Sequence, residues 1–189
     1  FIFNYKYYRL TFNRHINYMI LVNQNNSLIY KQKLYRCSLG INGLNESKIE
    51  GDKSTPIGIF SLGNLYVRTD RIKDLKTHFK YLSISKKMAW SDEPNNKDYN
   101  KLININYDHK ESFYRTDDIY NLILVINYNI EPITPHKGSA IFIHIAKNNY
   151  CSTQGCIGLS QVDFIEILLT LKPSDKIKIF KDKNFIQNT

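Results

Sequence analysis

The chain has 189 residues and a mass of 22.3 kDa, one domain's worth, able to bury about 70% of its unfolded surface without metal or disulfide staples. With 42% apolar and 23% charged residues it is neither disordered nor collagen-like, and apolar runs of about five residues, as in Leu122 to Ile126, are far short of the ~18 a membrane span needs. The net charge of +9 is the balance of a nucleic-acid binder, but 20 of the 26 cations are Lys, residues 88–135 are net −4, and no Arg-rich run occurs, so lysine-rich codon usage explains it better.

Residues 1–17 are aromatic and basic without a period and are read as an N-terminal extension, leaving 18–189 as one domain. No secretory signal is visible, since Tyr18 to Val22 is too short for an h-region and no small-residue cleavage site follows. The first residue is Phe1 rather than Met, so the chain is a processed or truncated product or its natural start lies elsewhere. Tyr18–Val22 and Ser27–Tyr35 flank the turn-forming Asn23-Gln-Asn-Asn26 and predict a hairpin. Glu50–Gly58 is a cluster of breakers that predicts a loop, followed by a short strand near Ile59 to Leu62.

Asn121–Tyr128 and Ser139–Ala146 are short, apolar and β-branched, the pattern of buried strands. Ser160, with Asp163 three residues later, forms a capping box that opens a helix. Val162, Phe164, Ile165, Leu168, Leu169 and Leu171 predict its apolar face, and Pro173 stops it. Lys176–Phe180 reads as a closing strand. The architecture expected is mainly β, with one clear helix directly after the most reactive residues.

Those residues lie in Ser139–Ala146 and Tyr150–Leu159, which place His144 on a strand and Cys156 in a tight loop leading to the capped helix. A nucleophilic Cys needs a base or cation nearby, because the thiolate is the reactive form. Glycine ahead of it allows a sharp turn, and backbone N–H groups in such a turn can face a developing oxyanion. Each residue alone also fits a duller role: Cys156 as a small buried hydrophobe, His144 as a satisfied core residue. A zinc site from His136, His144, Cys151 and Cys156 is conceivable by residue type but lacks the close Cys pairs of structural sites. Three cysteines give no complete disulfide framework, and a Cys151–Cys156 bridge would block the nucleophile.

Here the sequence resembles the L,D-transpeptidase catalytic domain family, also called YkuD-like. Its members carry a strand His followed by Ser/Thr-x-Gly-Cys-hydrophobic, matched by His144 and Thr153-Gln-Gly-Cys-Ile157. Lys48-Ile-Glu-Gly-Asp-Lys-Ser-Thr-Pro-Ile-Gly58 matches the family's Gly-Asp-x-x-Thr-Pro-x-Gly loop. Tyr66–Arg71, Trp90–Pro94, Tyr99-Asn100, Glu111 with Arg115 and Asp117, and Gly138–His144 match a bacterial subgroup. The resemblance spans roughly residues 19–180 in the right order. Gln154 stands where better-known members have His, and Gly158 where they commonly have Arg; both departures bear on the substrate and acceptor rather than on the nucleophile.

The resemblance implies a β-sandwich of the L,D-transpeptidase type and a cysteine acyltransferase acting on peptidoglycan stem peptides. Cys156 would form a thioester, His144 would serve as base, and an amine acceptor would complete a 3→3 cross-link. The N–H groups of Gly155 and Cys156 become oxyanion donors, with Thr153 and Gln154 shaping the turn. Arg68, Asp70, Arg71, Trp90, Asp92, Glu111 and Arg115 become either substrate contacts or structural ion pairs and packing. No cofactor, metal or nucleic-acid partner is expected, and the implied location is the periplasm or cell envelope. Three alternatives stay open: a hydrolase of the same bond, an inactive peptidoglycan-binding module, and a basic nucleic-acid binder.

Overall fold

The computed structural model describes residues 19–105 and 112–182, so the extension read at 1–17 lies outside it. The N-terminal hairpin forms as its turn composition predicts, with β1 (Met19–Asn23) antiparallel to β2 (Ser27–Tyr30). The single strand expected over Ser27–Tyr35 is instead two. Lys31 and Gln32 take positive φ, 47° and 65°, and reverse the chain into β3 (Lys33–Arg36), which pairs with β2. Two left-handed residues in succession make the tight hairpin turn usually signalled by Asn-Gly, and Lys-Gln carries no such signal.

Within the predicted loop, β5 (Thr55–Pro56) pairs with β4 (Leu44–Asn45). The strand after it, β6 (Gly58–Val67), is ten residues long and runs well past the predicted Leu62. Its central Gly63-Asn64 looks like a break in sequence, yet β6 is held by β10 (Leu122–Ile126), by β13 (Lys176–Phe180) and by β7 (Tyr81–Ser83). Tertiary pairing overrides local propensity there. A separate hairpin, β8 (Met88–Trp90) with β9 (Leu102–Asn104), has no strong sequence signature.

With β11 (Phe142–Ile145) and β12 (Ile157–Leu159), the main sheet has nine strands in the order β12-β11-β10-β6-β13-β1-β2-β3, with β7 branching from β6. The closing strand β13 is therefore interior, parallel to β1 and antiparallel to β6. Its Ile177 and Ile179 are buried between exposed Lys176 and Lys178, the alternation of a strand with one face on the core.

Every residue of β10 is buried, because both of its faces are covered. Leu122, Leu124 and Ile126 enter a main apolar core shared with β1, β2, β6, β13 and the helix. Ile123 and Val125 enter a second core on the opposite face, built from aromatic rings. There Phe113 sits against Tyr66, Trp90, Tyr120 and Phe142, with centroid separations of 5.2 to 6.2 Å. Such contacts each add about 0.5–1.5 kcal/mol beyond area burial.

The helix α1 (Gln161–Leu168) is capped as expected: Ser160 Oγ accepts from the Asp163 N–H at 3.0 Å and meets Asp163 Oδ2 at 2.6 Å. Its buried face is Phe164, Ile167 and Leu168, which share one side at helical spacing. Val162 and Leu169, expected on that face, are 75% and 46% exposed because they lie off this stripe. Among the described residues the fold is mainly β with one helix, and no helix is long and apolar enough to cross a membrane.

Candidate active site

Strands β11 and β12 run parallel, with Ile143 opposite Ile157, His144 opposite Gly158 and Ile145 opposite Leu159. The isoleucines and Leu159 enter the main core. Strand alternation therefore turns Phe142 and His144, and with them Cys156 and Gly158, to the other face. Cys156 packs there beside Phe142 in the aromatic core. Both Cys156 and His144 line one cleft of about 520 Å³.

The turn that carries Cys156 is fixed by its own side chains and by residues 38–41. Thr153 Oγ1 accepts from the Gly155 N–H at 3.0 Å and donates to the Cys156 carbonyl at 2.6 Å, closing the turn from inside. The backbone of Thr153 bonds Leu39 and Ile41, and that of Gly158 bonds Ser38 on both sides. Gly155 has φ of +136°, and a Cβ there would stand 2.7 Å from the Ser54 carbonyl oxygen, so only glycine fits. The Gly155 N–H, expected at the oxyanion, is thus engaged by Thr153 and helps to shape the turn.

The thiol contacts the Ala140 carbonyl at 3.2 Å. Ala140 is held in turn by Asn100, whose Oδ1 accepts from the Ala140 N–H at 3.0 Å and from Trp90 Nε1 at 2.9 Å. The Asn100 amide nitrogen donates to the Tyr128 and Asn129 carbonyls, so this buried side chain ties the β8–β9 hairpin to the wall of the cleft. Ala140 has a φ of +53°, uncommon for a residue with a Cβ, and Asn100 helps to hold it there.

His144 is buried, with Nδ1 2.9 Å from the Ile145 carbonyl oxygen. A carbonyl only accepts, so Nδ1 carries the proton in this contact and Nε2 is left with the lone pair of a base. Burial pushes the imidazole down to about 4, outweighing the opposing pull of the Ile145 carbonyl. The ring is therefore neutral near pH 7. Tyr120 packs edge-on against it at 5.5 Å.

Of the other residues predicted for the site, Thr153, Gln154, Asp92 and Arg115 line the cleft. Arg68, Asp70, Arg71 and Trp90 do not. Arg68 is 3% exposed, grips Asp70 at 2.8 and 2.7 Å, donates to the Arg115 carbonyl at 2.7 Å and stacks 3.7 Å above Tyr114. Arg71 donates to the Asp117 and Thr116 carbonyls and to Asn121. Both arginines hold the backbone of the segment that brings Arg115 and Tyr120 to the cleft. Trp90 is buried packing, and Glu111 lies outside the described residues.

Sequence reasoning missed Lys48, Glu50, Tyr120 and Lys147 on the cleft wall, where Cys151, weighed only as a metal ligand or disulfide partner, also lies. Lys48 and Glu50 belong to the Gly-Asp-x-x-Thr-Pro loop and could have been singled out from that motif; Tyr120 and Lys147 had no comparable signal. Among the described residues Cys37, Cys151 and Cys156 form no disulfide, and no group of three or more His, Cys, Asp or Glu is placed to hold a metal ion.

No curated protein sequence matches the chain. Among solved structures it is similar to the helical cell shape determining protein Pgp2 from Campylobacter jejuni, at 15% identity and a TM-score of 0.38, covering 87% of this chain and 46% of that one. Bd1075 from Bdellovibrio bacteriovorus matches at 16% identity and a TM-score of 0.43, covering 87% and 48%. L,D-transpeptidase 1 from Mycobacterium tuberculosis matches at 16% and 0.39, covering 87% and 59%. The chain thus spans about half the length of these proteins. The family model of the L,D-transpeptidase catalytic domain matches residues 7–179, nearly the whole sequence, and the chain belongs to that family, YkuD.

Proposed function

We propose that the protein is a cysteine acyltransferase acting on peptidoglycan stem peptides in the cell envelope. The observation that carries this reading is the joint placement of Cys156 and neutral His144 on one face of adjoining strands, both opening into a single cleft.

In the proposed reaction Cys156 attacks the carbonyl that joins the third stem residue to a terminal D-amino acid. His144 Nε2 takes the thiol proton, and the imidazolium then returns a proton to the departing amine. The C–N bond breaks, the D-amino acid leaves, and a Cys156 thioester remains. The amine of a neighbouring stem attacks that thioester, loses its proton to His144, and forms a 3→3 cross-link with the thiol restored. Splitting the transfer into two steps through one acyl-enzyme predicts ping-pong kinetics. Negative charge on the carbonyl oxygen in each step would be met by the Cys156 N–H, a donor typically worth about 10²–10³ in rate.

Incubation with disaccharide tetrapeptides tests the reading. Release of the terminal D-amino acid together with a cross-linked dimer supports it. Release without a dimer makes the protein a hydrolase of the same bond, and binding without release makes it a module without turnover.

A further inference from the structure

Lys48 is 4% exposed, yet it lies on the wall of the cleft. Its stem passes Gly138, where a Cβ would stand 2.8 Å from Lys48 Cε. Its Nζ ends 3.5 Å from the position a Cβ on Gly155 would take, beside the residue that precedes the nucleophile. Both glycines have positive φ, 97° and 136°, so two loops leave out a side chain where Lys48 passes.

The ammonium is paired with Asp52 Oδ1 at 2.6 Å. Burial alone would raise the Asp52 carboxyl, but Lys48, the Ser54 hydroxyl and the Ser54 and Ile49 N–H groups hold it well below the usual carboxylate range. These contacts pin Asp52 within its own loop, and Lys48 Nζ, not the carboxylate, is among the atoms nearest the Gly155 Cβ position. The pair therefore presents its positive end to the nucleophile turn. An apolar chain of the same length would fill this space without the cost of desolvating the buried Lys48 ammonium, so packing does not explain the charge.

We propose that Lys48 is a positioning residue for the nucleophile, its ammonium setting the field at the Gly155–Cys156 turn so that negative charge on the Cys156 sulfur is favoured. The inference rests on Cys156 being the nucleophile and is independent of the acyl acceptor. His144, neutral at rest, supplies no standing positive charge there. The other charged or titratable groups of the cleft come from several elements. Strand β11 brings His144, the 113–121 segment Arg115 and Tyr120, and the segment after β8 Asp92. Lys147 and Cys151 follow β11, and Glu50 and Lys53 share the loop of Lys48. Among these, Arg115 is paired with Asp117 at 2.7 Å, and Glu50 accepts from the Tyr99 hydroxyl.

The test is the rate of Cys156 alkylation by iodoacetamide as a function of pH, read by fragment masses that separate Cys156 from Cys151. Wild type is compared with Lys48→Met and with Lys48→Met/Asp52→Asn, which removes both charges of the pair and leaves neither without its counter-charge. The expected result is a midpoint raised by about one pH unit in the double variant, with a roughly tenfold lower rate at neutral pH. If Lys48 served only to neutralise Asp52, removing both charges would restore the wild-type profile, and that result overturns the inference. A wild-type Cys156 that reacts readily while the double variant matches it defeats the Lys48 role alone. A wild-type Cys156 unreactive at every pH defeats the nucleophile reading and this inference with it.

Discussion

His144 on β11 and Gly158 on β12 are register partners in a parallel pair, which sets Cys156 two residues upstream on the same face as the imidazole. The geometry depends on neighbouring strands, so the pairing is as rigid as the sheet edge that carries it. The imidazole is buried and neutral, with Nδ1 tied to the Ile145 carbonyl.

Stability should fall in acid because of His144. Above about pH 6.5 the ring is neutral in both folded and unfolded chains. Between that pH and about 4 the unfolded chain binds a proton that the folded ring refuses, so the unfolded state gains. The loss attributable to this residue is about 2–3 kcal/mol between pH 7.5 and 4.5. Urea unfolding of wild type and His144→Gln at both pH values measures it as the difference between the two slopes. Equal slopes contradict the assignment of a buried neutral ring.

Gly155→Ala should damage both the fold and the turn. It places a Cβ at a φ of +136° and 2.7 Å from a backbone oxygen that cannot swing aside. Backbone strain alone costs about 1–3 kcal/mol. Thermal unfolding should show that loss, and D-amino acid release in the folded fraction should drop at least about tenfold through misplacement of Cys156.

Asn100→Leu should also reach Cys156 from a distance. It removes the acceptor shared by Trp90 and Ala140 and both donors to the Tyr128 and Asn129 carbonyls. Each buried group left unpaired costs about 1–3 kcal/mol, so a loss of at least about 3 kcal/mol is expected by denaturant unfolding. A variant of wild-type stability contradicts the hub role.

Arg68→Met separates a structural arginine from a substrate contact. The guanidinium is buried, grips Asp70 and holds the Arg115 carbonyl. Because Asp70 stays half-exposed and can be solvated, the expected cost is about 1–3 kcal/mol rather than that of stranding a buried partner. KM for stem peptide in the folded fraction should stay near wild type. Raised KM at unchanged stability would make Arg68 a substrate contact instead.

The sequence was most legible where local chemistry decides the structure. The capping box at Ser160 and Asp163, the apolar runs of β10 and β11, and the turn at Asn23–Asn26 all announce elements that form. The β6 strand, the Lys31–Gln32 turn and the β8–β9 hairpin were not legible, because distant strands or backbone angles without a residue signature fix them. Within the site, residue chemistry and the family motif together marked Cys156 and His144. Neither could tell that Arg68 and Arg71 brace a loop from behind the cleft, while Lys48 reaches the Gly155–Cys156 turn. That distinction belongs to packing.

The central claim, that Cys156 carries the acyl group, is tested most directly by mass spectrometry of the protein quenched in acid during turnover of a tetrapeptide stem. The account predicts a mass increment equal to the tripeptide acyl group, located on Cys156 and absent from a folded Cys156→Ala variant. D-amino acid release with no increment on Cys156, or release that persists in Cys156→Ala, would contradict it.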